Sequence, residues 1–213
     1  MSLKALFYPD VPFESLYIPY IYKEIYFDGV YADIFNNKKD MVVIDVGANI
    51  GVVTQYMRDY CKKLYAIEPS TEHFEALKTN KTFNKWDNVE VFKLAIADKD
   101  GEMTLHNNVT NRTCHSLTLN YGQKSEKVKT MGMNSFLKKN KIKEVDFMKF
   151  DVEGAEDLIL RSDEFRKASS KIKAIEVEFH HPTWNELVKY MMEMGYEARR
   201  YESSAIIILF TRP

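Results

Sequence analysis

The residues of this chain that can do chemistry sit at the ends of short apolar runs. Val42-Val43-Ile44-Asp45-Val46 leads into Gly47-Ala48-Asn49-Ile50-Gly51, which reads as a strand, a glycine turn and a helix start. Only 8 of the 213 residues are glycine, so two of them within one turn mark a place where the backbone bends sharply and can approach a ligand closely. Glu68 ends the next apolar run and is followed by Pro69. A carboxylate at that point can accept hydrogen bonds from both hydroxyls of a ribose. Together the two features predict a nucleoside pocket.

The spacing narrows the ligand. A dinucleotide fingerprint requires glycine at positions 47, 49 and 52, whereas the chain has Gly47, Asn49 and Val52, and no Gly-Lys-Ser/Thr follows the turn as a phosphate loop would need. Acids close successive strands: Asp45, Glu68, Asp98, and Asp151 with Glu153. Their field opposes a pyrophosphate and suits a cationic ligand. S-adenosylmethionine, with a sulfonium, an ammonium and no phosphate, satisfies that field. Transfer of its methyl group is an in-line displacement, so a protein has mainly to align donor and acceptor and to handle one proton.

Asp151 and Glu153, with Glu156 in the helix that follows, are candidates for positioning acceptor or cofactor. The competing reading is an acidic helix start favoured by the macrodipole. His180 ends a later strand and is the candidate general base, with His181 beside it. Neighbouring histidines in a strand point to opposite faces, and Asp151 with Glu153 has no distinguishing ligand spacing, so no metal is expected.

The elements that must hold these groups begin near residue 41, where short apolar runs alternate with amphipathic segments as in βαβ units. Strands are predicted at Met41 to Val46, Lys63 to Ile67, Val89 to Ala95, Val145 to Phe150 and Ile172 to Phe179, and a closing hairpin at Tyr196 to Tyr201 and Ala205 to Phe210. Helices are predicted at Ile50 to Tyr60, Thr71 to Phe83, Asn134 to Lys139, from Gly154 onward, and at Trp184 to Met194. Between residues 98 and 130 the helical period disappears, and Asp100-Gly101 opens a small antiparallel insertion with strands at Glu102 to His106, Ser116 to Leu119 and Glu126 to Thr130. Residues 1–40 form an arm in front of the domain of 41–213. Pro9, Pro12 and Pro19 punctuate it and six of the 13 tyrosines fall in it, so one or two short helices are expected over Glu14 to Asn37, broken near Pro19. Such an arm can close over an acceptor, pack on the sheet or join two copies of the chain, so a homo-oligomer is an open expectation.

Composition excludes several classes. The formal net charge is −1, so no global field draws the chain to nucleic acid or an acidic membrane. The longest purely apolar run, Ala205 to Phe210, is far shorter than a membrane-spanning helix needs, and the early prolines and acids interrupt any leader-like apolar core, which points to a cytoplasmic protein. Cys61 and Cys114 lie far apart and outside any zinc-like spacing, and free thiols in a reducing compartment are the plainer reading than a disulfide. The sequence has no Asn/Asp-Pro-Pro-Tyr segment and no Pro-Cys pair, the marks of base methylation, and the lysines between 124 and 143 are interrupted by Glu126 and Glu144 as on a solvated surface.

Three segments in this order resemble the FkbM-type family of class I S-adenosylmethionine-dependent methyltransferases. They are Val43-Ile44-Asp45-Val46-Gly47-Ala48-Asn49-Ile50-Gly51, Ala66-Ile67-Glu68-Pro69, and the more distinctive Lys149-Phe150-Asp151-Val152-Glu153-Gly154-Ala155-Glu156. The resemblance spans residues 40 to 180. It implies a Rossmann-like α/β fold, doubly wound and seven-stranded with an antiparallel last strand, and methyl transfer to a hydroxyl of a small-molecule or saccharide-like acceptor. By position it implies that Asp45, Gly47, Ala48, Asn49 and Gly51 cradle the methionine part and that Glu68 and Pro69 border the ribose. Ala95, Ala97 and Asp98 would border the adenine, and Asp151 would lie near the sulfonium. Two other readings remain: a nicotinamide-dependent oxidoreductase, disfavoured by the missing glycines, and a non-catalytic nucleoside-binding module.

Overall fold

The computed structural model describes residues 18–27, 29–107, 115–122, 124–180, 182–201 and 205–213. Cys114, His181 and the part of the arm before residue 18 lie outside them. The arm continues as two short helices, α1 (Ile18–Tyr26) and α2 (Ala32–Phe35). Pro19 falls in the first turn of α1, where its missing N–H has no helical partner to lose. Between α1 and α2 Gly29 takes a left-handed φ of 68°, and the segment from Glu14 that would precede a break near Pro19 lies outside the described residues.

From there strands and helices alternate. β1 (Met41–Val46), α3 (Val52–Met57) with a 3-10 turn at Arg58–Tyr60, β2 (Cys61–Glu68), α4 (Thr71–Phe83) and β3 (Val89–Lys93) form the first half. β4 (Ala95–Ala97), β5 (Gly101–Asn107), β6 (His115–Ser116) and β7 (Ser125–Gly132) form an insertion. The second half comprises α5 (Met133–Lys139), β8 (Phe147–Asp151), α6 (Glu156–Leu160), α7 (Asp163–Ser169), β9 (Ala174–Phe179), α8 (Trp184–Glu193), β10 (Glu197–Arg200) and β11 (Ile206–Thr211).

The main sheet has seven strands in the order β10-β11-β9-β8-β1-β2-β3. β11 runs antiparallel to both its neighbours, while β9, β8, β1, β2 and β3 pair in parallel. This is the doubly wound sheet with an antiparallel last strand. Alternation along the strands sends side chains to two cores. Ile44, Val46, Met148 and Phe150 pack under α5 to α8, and Met41, Val43, Leu64 and Phe147 pack under α1 to α4. The chain leaves β1 toward β2 and β3, then returns to the other side of β1 as β8. At such a reversal the connections diverge and open a crevice at the carboxyl ends of the strands.

Several boundaries differ from the sequence pattern. The strand expected over Val89 to Ala95 divides at Leu94, whose N–H donates to the Glu68 carbonyl (3.3 Å). β3 is an edge strand, so the chain is free to leave it, and β4 pairs in parallel with β7 in a second sheet ordered β4-β7-β5-β6. Where the sequence pattern predicts a strand over Ser116 to Leu119, β6 ends at Ser116, because the Ser116 hydroxyl accepts the N–H groups of Thr118 (3.2 Å) and Leu119 (3.0 Å) and turns the chain. The helices expected from Ile50 and Gly154 begin later, at Val52 and Glu156, because Asn49 (φ 51°), Gly51 (95°), Glu153 (51°) and Gly154 (97°) hold left-handed conformations.

Gly51 shows why the turn needs glycine there. A Cβ on it would fall 2.8 Å from Leu77 Cδ1 and 2.9 Å from the Trp86 ring, and Trp86 is itself fixed by donation of its indole N–H to Gln55 Oε1 (2.7 Å). Gly51→Ala combines a left-handed alanine with an overpacked contact, so we expect a loss of about 2–4 kcal/mol in urea-unfolding stability. A loss of less than about 0.5 kcal/mol, the scale of a neutral surface change, would show that neither constraint operates.

Candidate functional site

A cavity of about 410 Å³ occupies the crevice. Of the residues singled out in the sequence, Gly47, Ala48, Asn49, Glu68, Pro69, Ala95, Asp151, Glu153 and His180 line it. Asp45, Gly51, Ala97 and Asp98 do not. Asp45 lies beneath the turn, fully buried, where it accepts the Thr54 hydroxyl (2.5 Å). Gly51 faces Leu77 and Trp86. Ala97 is buried in β4, and Asp98 is directed to the surface near Lys99 (4.0 Å).

The glycine turn is shaped by what it touches. Gly47 has φ 78°, and a Cβ on it would fall 1.9 Å from the carbonyl oxygen of Asp151. Close approach of β1 to the end of β8, as well as to a ligand, therefore demands the missing side chain. Asn49 donates its backbone N–H to Glu68 Oε2 (2.9 Å), and its side-chain oxygen accepts the Ile50 N–H (2.8 Å). Glu68 Oε1 accepts the Ser70 N–H (2.9 Å), and His73 lies 3.9 Å from it. Burial pushes the Glu68 carboxyl up to about 7, against the two backbone hydrogen bonds and the Lys149 charge. Two further lone pairs stay available to donors entering the cavity.

Lys149 is a functional group that sequence reasoning did not single out. It stands inside β8, in register with Asp45 on β1 and Glu176 on β9, and is only 6% exposed. Its ammonium donates to the Gly47 carbonyl (3.1 Å) and to Asp151 Oδ2 (3.1 Å), with Asp45 Oδ1 at 3.9 Å. Burial favours the neutral amine, but the charges of Asp151, Asp45 and Glu178 outweigh it and hold Lys149 well above its ordinary value. Next to it, burial pushes Glu176 up to about 8 despite a hydrogen bond from Tyr31 of the arm. The available signal was a lysine within an otherwise largely apolar strand, where a charge is retained only with partners.

At the ends of β8 and β9 the charges concentrate. Asp151 pairs in register with Glu178, and the His180 ring reaches Glu156 Oε1 through Nδ1 (3.2 Å) and lies near Glu153 Oε2 (3.6 Å) and Glu178 Oε1 (3.5 Å) through Nε2. Burial lowers the imidazole pKa, but hydrogen bonds to Glu156 and Glu178 and the charges of Asp151 and Glu153 push it up to about 11. In this setting the ring is an imidazolium at neutral pH. It donates and orients, whereas the base role expected for His180 requires the neutral ring. On the opposite wall the rings of His73 and His115 stack, with centroids 4.5 Å apart and planes 11° from parallel. Nothing in the linear spacing joins these two residues, because the insertion brings His115 across.

The fold and these segments can be set beside known proteins. The methyltransferase FkbM domain model matches residues 45–198. This chain belongs to the FkbM methyltransferase family. Methyltransferase 1 of Beauveria bassiana is 27% identical over 174 residues, which cover 70% of this chain and 69% of that protein. An S-adenosylmethionine-dependent methyltransferase from Aquifex aeolicus superposes with a TM-score of 0.52 at 15% identity, covering 91% of this chain and 95% of that one. TrmK of M. capricolum in complex with S-adenosylhomocysteine superposes with a TM-score of 0.54 at 14% identity, covering 85% of this chain and 65% of that one. At these identities the two structures share the fold.

The cofactor of this FkbM methyltransferase is S-adenosylmethionine, and the cavity residues fit it. Glu68 offers lone pairs to a ribose, the Gly47 turn leaves no side chain between β1 and β8, and Asp151 Oδ1 is buried with no hydrogen-bond partner among the described residues. Were Glu68 to hold the ribose hydroxyls, its ionised form would be the stronger acceptor. Because its pKa is raised, the folded chain holds a proton between its ordinary 4.5 and about 7 that the unfolded chain has released. Ligand-free stability therefore falls, and affinity rises, as pH increases through that interval. Calorimetry should show S-adenosylhomocysteine binding about tenfold more tightly at about pH 8 than at about pH 6. Glu68→Gln should weaken it by about 1.5–3 kcal/mol and remove that pH dependence. A wild-type profile that is flat over this range would contradict the assignment.

Proposed function

We propose that the chain is an O-methyltransferase that carries the methyl of S-adenosylmethionine to a hydroxyl of a small-molecule or saccharide-like acceptor. The observation that carries this reading is the polar wall at the ends of β8 and β9, where Asp151, Glu153, Glu178 and His180 all line the cavity. Carboxylates and an imidazolium hydrogen-bond several hydroxyls at once and offer no flat apolar slot for a base. The enclosure supports a small acceptor: Ile21 and Ile25 of α1 border the cavity from one side and Leu105 and Leu117 of the insertion from the other.

The cofactor supplies an electrophilic methyl on a sulfonium. The chain's own residues do the rest. Glu68 orients the nucleoside end and the Gly47 to Asn49 turn the methionine end, while Lys149, through the Gly47 carbonyl and Asp151, fixes the relative position of the β1 and β8 ends. Glu153 and Glu178 accept acceptor hydroxyls, and one of them takes the proton that leaves as the C–O bond forms. His180, held by Glu156, donates to a neighbouring acceptor oxygen.

The test is incubation with isotopically labelled S-adenosylmethionine and a panel of sugars and hydroxylated aromatic compounds, with the product read by NMR. A labelled methyl ether is expected. Glu153→Gln should lower kcat/KM for the acceptor by about 10²-fold or more while leaving S-adenosylhomocysteine affinity within about threefold. A product methylated on nitrogen or carbon would overturn the proposal.

A further inference from the structure

We propose that Asp151, Glu153 and His180 form a binding site for a divalent cation of the Mg²⁺/Mn²⁺ class on the wall of the cavity. They come from the ends of two strands, and parallel pairing of β8 with β9 brings those ends together. One ligand atom from each residue lies within 4.8 Å of the others. The 3.6 Å between His180 Nε2 and Glu153 Oε2 is close to the roughly 3 Å between adjacent ligands at metal–ligand distances of about 2.1 Å.

Each ligand is prepared from behind. Asp151 uses Oδ2 on Lys149 (3.1 Å), and its Oδ1 is buried with no hydrogen-bond partner among the described residues. His180 uses Nδ1 on Glu156 (3.2 Å), whose side chain is completely buried and whose same oxygen accepts the Gly154 N–H (3.0 Å). That hydrogen bond fixes the ring and turns Nε2 toward Glu153 and Glu178. A carboxylate behind the far nitrogen of a histidine is the usual support of a metal-ligating imidazole. Glu178 adds a carboxylate 3.5 Å from Nε2.

Charge points the same way. Asp151, Glu153, Glu156 and Glu178 face Lys149 and His180 across a few ångströms. Four carboxylates against at most two cations leave a negative site. One nitrogen among carboxylate oxygens is a donor set for a hard divalent ion, with Mn²⁺ tolerating the imidazole, whose Nε2 proton is released to solvent as the ion takes its place between the carboxylates. The role of this cation rests on the O-methylation reading: bound here, it would take an acceptor hydroxyl as a ligand and ease loss of its proton to Glu178 or to water. The hydroxyl oxygen then forms the C–O bond as the C–S bond breaks, and sulfur keeps that electron pair as a neutral thioether.

The experiment needs no acceptor, so its outcome is separate from that of the O-methylation assay. Mn²⁺ is titrated into the full chain, with and without S-adenosylhomocysteine, and read by calorimetry and by loss of the free-ion EPR signal. One Mn²⁺ per chain is expected, with affinity lowered about 10-fold or more in Glu153→Gln and in His180→Asn, and also lowered in Glu156→Gln. Retained S-adenosylhomocysteine binding shows that a variant is folded, and Glu153→Gln carries the test if His180→Asn does not fold. Absence of saturable Mn²⁺ binding by wild-type chain that binds S-adenosylhomocysteine would overturn the proposal. So would Mn²⁺ affinity unchanged in the folded variants.

Discussion

The buried ammonium of Lys149 is the interaction on which the site depends. β1 and β8 are neighbours only because the chain reverses direction around β1, and their carboxyl ends bring the fully buried Asp45 and the half-buried Asp151 to either side of one ammonium. Two carboxylates there would repel and lose their hydration. Lys149 lies between them, and its hydrogen bond to the Gly47 carbonyl extends the same charge to the backbone of the glycine turn. Removing one member of such a group typically costs about 3–5 kcal/mol, because the charges left behind remain buried. The turn, the strand ends and the Asp151 carboxylate that lines the cavity are therefore one electrostatic unit.

Around this unit the fold adds walls from distant parts of the chain. The arm supplies Ile21, Ile25 and Tyr31, whose ring packs edge-on against Phe147 of β8 with centroids 6.3 Å apart. The insertion supplies Leu105, His115 and Leu117, and its Thr118 hydroxyl donates to the Gly154 carbonyl (2.9 Å), tying it to the loop after β8. The two segments least patterned in sequence thus both line the cavity.

Much of the cavity wall formed by the glycine turn and Glu68 was legible in the sequence because it depends on local rules. An apolar run ending in Asp45, followed by glycines at a spacing wrong for a dinucleotide, is read by counting. Glu68 is read from its place at the next strand end. Asp45 and Gly51 show where that reading stops. Both belong to the motif, yet one lies under the turn with Thr54 and Lys149 and the other against Trp86. Motif spacing reports that a residue is required and does not distinguish support of the turn from contact with the ligand.

By itself the sequence determined the parallel sheet, its glycine turn and the preference for a phosphate-free cationic nucleoside. Each follows from periodicity, backbone freedom and charge along a short stretch of chain. Only the tertiary structure decided the partners of Lys149, the protonated setting of His180, the stacked His73 and His115, and the division of the third strand at Leu94. These depend on which strands become neighbours and on how far burial removes water from the charges between them. Neither is a property of residues close together in the sequence.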